Sequence, residues 1–194
     1  MKNFKLFHRL HAVFFGLVLG IILLVQPAHA QTTGFNQPGA GPHDYDTSGN
    51  WVGGTINGIW DSTLTLTAAQ VVTFDSDLSL GTGLTFNYTG NFALNLRGDG
   101  TDRTITLGGN IGVGPVSNQT VTLGSVTGGQ NLNVDLGAAT RTFTVNASKT
   151  LTVVNSVSNG SIIKAGGGNL NLQGTNSLGT LSVTAGGTTT LGGS

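Results

Sequence analysis

The chain of 194 residues has no cysteine and no glutamate, one methionine, four prolines and only 8% charged residues. Each shortage excludes something. Without cysteine there is no disulfide, no thiolate nucleophile and no thiolate-bound zinc, so the fold must be held by packing and hydrogen bonds. Without glutamate, and with no window that places apolar residues at i, i+3, i+4 and i+7, helix is not expected beyond residue 30. Beyond that point the only histidine is His43. One histidine cannot build a His-based zinc site. A Ser-His-Asp triad would have to use His43, beside Asp44 and Asp46 in a segment that lacks the rigid support such a site needs, so His43 is read as a solvated loop residue. The sparse Lys and Arg residues form no cluster, and phosphate binding needs one; nucleic acid and anionic membrane surfaces are not expected partners.

What the chain does contain begins with a leader. Lys2, Lys5, His8 and Arg9 precede an apolar run from Ala12 to Val25, and Ala28-His29-Ala30 supplies a small-x-small cleavage site. These features predict a secretory signal peptide at residues 1–30, with a helical apolar region, cut after Ala30. A membrane-spanning helix would need about 20 apolar residues, and Pro27 ends this run early. The remaining residues, Gln31 to Ser194, carry Arg97, Arg103, Arg141, Lys149 and Lys164 against eight aspartates, a net charge of −3. Residues 31–49, with Pro38, Pro42 and several glycines, are expected to be a flexible leader. Residues 50–62 gather Trp51, Ile56, Ile59 and Trp60 among glycine turns and are expected to form an N-terminal cap.

From Thr63 to the end the pattern has a period of two. Apolar residues alternate with Thr, Asn or Ser at Val72-Thr-Phe74, Leu94-Asn-Leu96, Ile105-Thr-Leu107, Val121-Thr-Leu123, Leu151-Thr-Val153 and Leu170-Asn-Leu172, among others. This predicts an all-β region with one buried and one wet side to each strand. Repetition then favours a solenoid over a β-sandwich, which remains the alternative. Arg103-Thr-Ile-Thr-Leu107, Gln119-Thr-Val-Thr-Leu123 and Arg141-Thr-Phe-Thr-Val145 are variants of one block. A larger unit also recurs, with Leu94-Asn-Leu96 then Arg103–Leu107 matched by Val134-Asp-Leu136 then Arg141–Val145. A repeat near twenty residues fits a right-handed parallel β-helix over residues 63–194, with inward apolar columns and outward threonine ladders.

The last thirty residues sharpen this reading. Lys164 precedes the spaced glycines Gly166 and Gly168; Leu170 and Leu172 alternate; Gly174, Asn176, Gly179, Val183 and Gly186 follow. Residues 164–193 resemble the autotransporter-associated β-strand repeat of surface proteins from Gram-negative-type bacteria. The resemblance implies a parallel β-solenoid passenger, exported and displayed at the outer-membrane or extracellular surface. It implies the secretion machinery as a partner, surface glycans or other cells as adhesion targets, and a C-terminal membrane barrel that lies outside residues 1–194. On this resemblance the chain is expected to be an N-terminal portion of a longer protein.

Function reduces to three expectations of different kinds. The first is a structural or adhesive passenger with no catalytic residues, metal or cofactor. The second is a polysaccharide-degrading β-helix enzyme using Asp75 with Asp77, or Asp99 with Asp102, beside Arg97 or Arg103. Paired carboxylates in a cleft could supply general acid and base chemistry, whereas in turns they bond local backbone. The third is a carbohydrate-binding module in which Trp51 and Trp60 stack on sugar rings. Gly98-Asp-Gly100-Thr-Asp102 also has the skeleton of a calcium-binding β-roll, but it occurs once, and such sites are made by stacked copies.

Overall fold

The computed structural model describes residues 34–37, 39–51, 56–60, 64–115 and 120–192. The expected signal peptide, with Ala28 and Ala30, lies outside the described residues. The described chain is all-β apart from one 3-10 turn at Ser48–Asn50. Its strands, in chain order, are β1 (His43–Asp44), β2 (Ile59–Trp60), β3 (Gln70–Phe74), β4 (Leu78–Leu80), β5 (Leu84–Phe86), β6 (Leu94–Gly98), β7 (Arg103–Leu107) and β8 (Ile111–Val113). They continue as β9 (Thr120–Leu123), β10 (Leu132–Val145), β11 (Thr150–Val153), β12 (Val157–Ala165), β13 (Asn169–Leu172), β14 (Ser177–Val183) and β15 (Thr189–Leu191).

These strands form two sheets. One runs β1-β3-β6-β9-β11-β13-β15; the other runs β2-β5-β8-β10-β12-β14, with β4 and β7 joining it through β10. Every ladder is parallel. The one antiparallel contact among the described residues is an isolated bridge between Phe35 and Trp51. This is not the pairing of an antiparallel sandwich, in which neighbouring strands return through hairpins.

Burial follows the alternation in the sequence. β3, β6 and β9 show a strict in-out pattern, so the inward residues of successive strands meet in columns. Leu94, Val121, Leu151 and Leu170 form one column; Val72, Leu96, Leu123, Val153 and Leu172 form another. All are 0% exposed. At about 25 cal/mol per Å² of apolar area removed from water, each such side chain contributes roughly 1.5–3 kcal/mol against the entropy of ordering a glycine-rich chain.

The spacing departs from the expected repeat near twenty. Partners in the first sheet lie 24 (Gln70, Leu94), 27 (Leu94, Val121) and 30 (Val121, Leu151) residues apart before settling at 19 (Leu151, Leu170, Thr189). The three similar blocks do not stack on one another: they fall on β7, β9 and the second half of β10. The larger unit fails for the same reason, because Ile105 pairs with Val134 while Phe143 pairs with Ile111. Their likeness reflects what a half-buried parallel strand requires and does not mark the repeat.

β10 replaces two strands of the earlier layers with one. Its first part pairs with β7 and its last with β8. The bend between them places Gly137 and Ala138 at positive φ, 67° and 55°. Arg141 closes this corner, donating to Leu136 O at 3.0 Å, Gly108 O at 2.7 Å and Leu107 O at 2.6 Å. The carbonyls left where β7 ends are thereby satisfied.

The described residues of the segment expected to be a flexible leader, 34–37 and 39–49, pack against the strands that follow. β1 pairs with β3 through His43 opposite Val72, and Phe35 and Tyr45 are buried. His43 is half-buried, with Nε2 3.2 Å from Gly39 O and its ring edge-on to Phe35, so it is not a solvated loop residue. The alternation cue is too short at a two-residue strand to reveal this.

Candidate functional surface

The two tryptophans lie in the core and not on a binding surface. Trp51 is 2% exposed and Trp60 0%, so neither offers a face on which a sugar could stack. They lie instead in an aromatic cluster with Phe35, Tyr45, Phe74 and Phe86. Tyr45 stacks on Phe74 at 4.3 Å, Trp51 and Trp60 meet at 5.5 Å, and Trp60 meets Phe86 at 4.9 Å. Trp51 Nε1 donates to Tyr45 O at 2.8 Å, which satisfies the indole in its buried position. Edge and offset contacts of this kind add to the burial of large rings. The cluster sits where β1 and β2, the terminal strands of their sheets, meet the layer of β3 and β5.

Asp77, Asp99 and Asp102 each bond a partner outside the expected pairs. Asp77 accepts from the backbone N–H of Thr104 at 2.8 Å, and Asp102 accepts from the N–H and side-chain amide of Asn131 at 3.3 and 2.9 Å. Each links its own turn to the next layer, where local turn bonding was the sequence expectation. Asp99 pairs with Arg103 at 3.1 Å on the surface, an interaction worth about 0–1 kcal/mol. Arg97 lies on β6 opposite Thr73. An open depression of about 260 Å³ lies beside Asp77 and Thr104.

One set of three acids does come together among the described residues, and the sequence did not reveal it. Oxygens of Asp44, Asp46 and Asp75 lie within 4.8 Å of one another. Asp44 and Asp46 flank Tyr45, whereas Asp75 arrives from the turn after β3, which pairs with β1. The cluster is tied by its own hydrogen bonds: Asp46 N to Asp44 Oδ1 at 3.0 Å, Thr47 Oγ1 to Asp44 Oδ2 at 2.8 Å, and Ser76 Oγ to Asp46 Oδ2 at 2.7 Å. Burial, with Asp75 and Asp44 alongside, pushes the Asp46 carboxyl up to about 6.

Lys164 is a fully buried charge, 0% exposed. It stands in an inward column between Phe143 and Val183. Its ammonium donates to Gly166 O and, at 2.6 Å, to Gly186 O, so it bonds the turns of two successive layers. Burial holds it below the usual lysine range. Parity was the available signal, since Ile162-x-Lys164 places the lysine on the buried side.

Over its last four strands the outward face of the first sheet is chemically uniform. On β9, β11 and β13 the outward positions are Thr120 and Thr122, Thr150 and Thr152, and Asn169 and Asn171, with Thr152 only 9% exposed; Thr190 on β15 continues one row, and Thr188, just before that strand, continues the other. Thr188 N donates to Asn169 Oδ1 at 3.1 Å. Eight positions in two rows of four are thus all Thr or Asn. No bulge interrupts these ladders. The side chains offer hydroxyls, amides and methyl groups, and no charge or ring. Such a face can bind through many weak polar contacts but holds no group suited to proton transfer at neutral pH. Comparison with protein-family models, with curated proteins and with solved structures finds no match to this chain.

Proposed function

We propose that the chain is an exported surface scaffold, a right-handed parallel β-helix of the autotransporter-passenger kind, whose outer faces make its contacts and which catalyses no reaction. The Thr and Asn grid carries this reading. It is a repetitive, uncharged surface backed by columns of Leu and Val, as expected of a rigid display element. The run of parallel strands in register, with partners 19 residues apart over the last layers, supports the solenoid. The turn aspartates support a scaffold over a polysaccharide-degrading enzyme, because Asp77 and Asp102 bond the next layer and Asp99 bonds Arg103. The apolar leader and its Ala28-His29-Ala30 site support export.

The test uses the full chain expressed with its leader in a Gram-negative host. Protein recovered outside the cytoplasm should begin at Gln31, and beads coated with it should bind cells more than albumin-coated beads do. An uncleaved cytoplasmic product, or beads that bind no better than the control, would refute the proposal.

A further inference from the structure

The Thr and Asn grid also points to a partner. Neighbouring strands place side chains about 4.8 Å apart across the sheet, and positions two residues apart are about 6.6 Å apart along a strand. The ladders of β9, β11, β13 and β15 keep one register, so these spacings repeat through four strands. Six of the eight residues are threonine, whose branched side chain is stiff at χ1. Beneath them Val121, Leu123, Leu151, Val153, Leu170 and Leu172 are each 0% exposed, which fixes the backbone that carries the grid.

The chemistry of the grid disfavours the usual partners. Protein interfaces are anchored by large aromatic or apolar side chains and arginine, and the grid has none of these. Sugar rings are held chiefly on aromatic platforms, and both tryptophans are buried. Charged lipids and nucleic acids need basic clusters, and none of the eight positions is charged. What a rigid two-dimensional array of hydroxyls and methyls can do is hold a sheet of water in a fixed pattern. Ordering each such water costs up to about 2 kcal/mol of entropy, a cost already met when the partner is itself a solid water lattice. We propose that this face adsorbs to ice. The proposal rests on the surface-scaffold reading and gives this face a partner of its own, contacts with cells falling to the other outer faces.

The experiment measures ice-crystal shape and recrystallisation in dilute solutions of the full chain, exported and purified. Crystals should become faceted, and grain growth should slow relative to albumin at equal mass concentration. Thr120→Lys with Thr190→Lys, both at exposed grid positions, should abolish the effect, while Ser182→Lys on exposed β14 should leave it intact. Circular-dichroism melting of all variants would show that each is folded. Crystals indistinguishable from those in albumin, or shaping that survives the grid substitutions in a folded protein, would overturn the proposal. Retention on crystalline cellulose or chitin without ice shaping would also overturn it, while leaving the surface-scaffold reading standing; that reading fails separately, on the cell-binding beads.

Discussion

Replacing Asn155 by alanine removes a clamp between layers. Asn155 sits between β11 and β12, where its Oδ1 accepts from Ser125 N at 3.1 Å and Leu132 N at 3.0 Å. Its Nδ2 donates to Ser125 O at 3.1 Å and Asn131 Oδ1 at 2.8 Å. One side chain thus satisfies two backbone donors and two acceptors across the loop that joins β9 to β10. Each buried polar group left without a partner costs about 1–3 kcal/mol, but the site is half-buried and water can replace some of these bonds. The expected loss is therefore about 2–4 kcal/mol, rather than the four-fold sum. Urea unfolding followed by far-UV circular dichroism should show a lower midpoint, and native-state hydrogen exchange should show faster exchange at Leu132 before distant strands respond. A loss below about 0.5 kcal/mol, the range of an ordinary surface substitution, would refute the clamp.

Gly124 is coupled to the same clamp: its φ is 92° and a Cβ there would collide with Asn155 Oδ1. Gly124→Ala should cost more than about 1 kcal/mol, with the penalty partly relieved in an Asn155→Ala background, a coupling readable from a double-mutant cycle. For Lys164 the folded pKa lies below the unfolded value near 10.5, so the unfolded chain binds the proton more readily in that window. Stability should rise as pH climbs toward 10.5, and Lys164→Met should flatten the rise in melting curves taken across that range. Asp46 has the opposite sign, its carboxyl being raised from 3.8 to about 6, so its contribution is greatest in acid and fades as pH rises through that interval. Asp46→Asn should remove this fall and leave the protein more stable at neutral pH, as measured by melting temperature against pH. Arg141→Ala should destabilise the corner of β10 by about 1–3 kcal/mol through the carbonyls of Leu107, Gly108 and Leu136, again by urea titration.

The strand interiors were legible because a period of two is a local property. Val121-Thr-Leu123 and Leu170-Asn-Leu172 could be assigned their buried and wet sides without knowing which strand lay alongside. Pairing was less legible, since any two such strands look alike; the resemblance between residues 103–107 and 141–145 therefore suggested a stack that Ile111 and Val134 in fact occupy. The acidic cluster was hidden for a related reason. Asp75 meets Asp44 and Asp46 only because His43 and Val72 are in register, and a two-residue strand leaves no periodic trace. Trp51 and Trp60 were ambiguous because a large ring serves as well in a core as on a binding face, and only packing against Tyr45 and Phe35 decides between them.

The uneven spacing of the layers is informative about where this chain can vary. Between Val121 and Leu151 the partners are 30 residues apart, and between Leu151 and Leu170 they are 19 apart, yet both pairs meet in register. The difference is taken up at the corners: Gly124–Asn131 fills one, with Val126 90% exposed, where Val154–Ser156 suffices in the next layer. Extra residues in a stacked architecture are extruded in this way because inward columns fix the strands while loop closure grows only slowly more costly with length. Asn155 shows what such a loop requires, since its side chain supplies the bonds that a tighter turn would make with its own backbone. The grid on β9, β11, β13 and β15 spans both the long and the short layers without a break, so the corners can change while the Thr and Asn spacing stays constant.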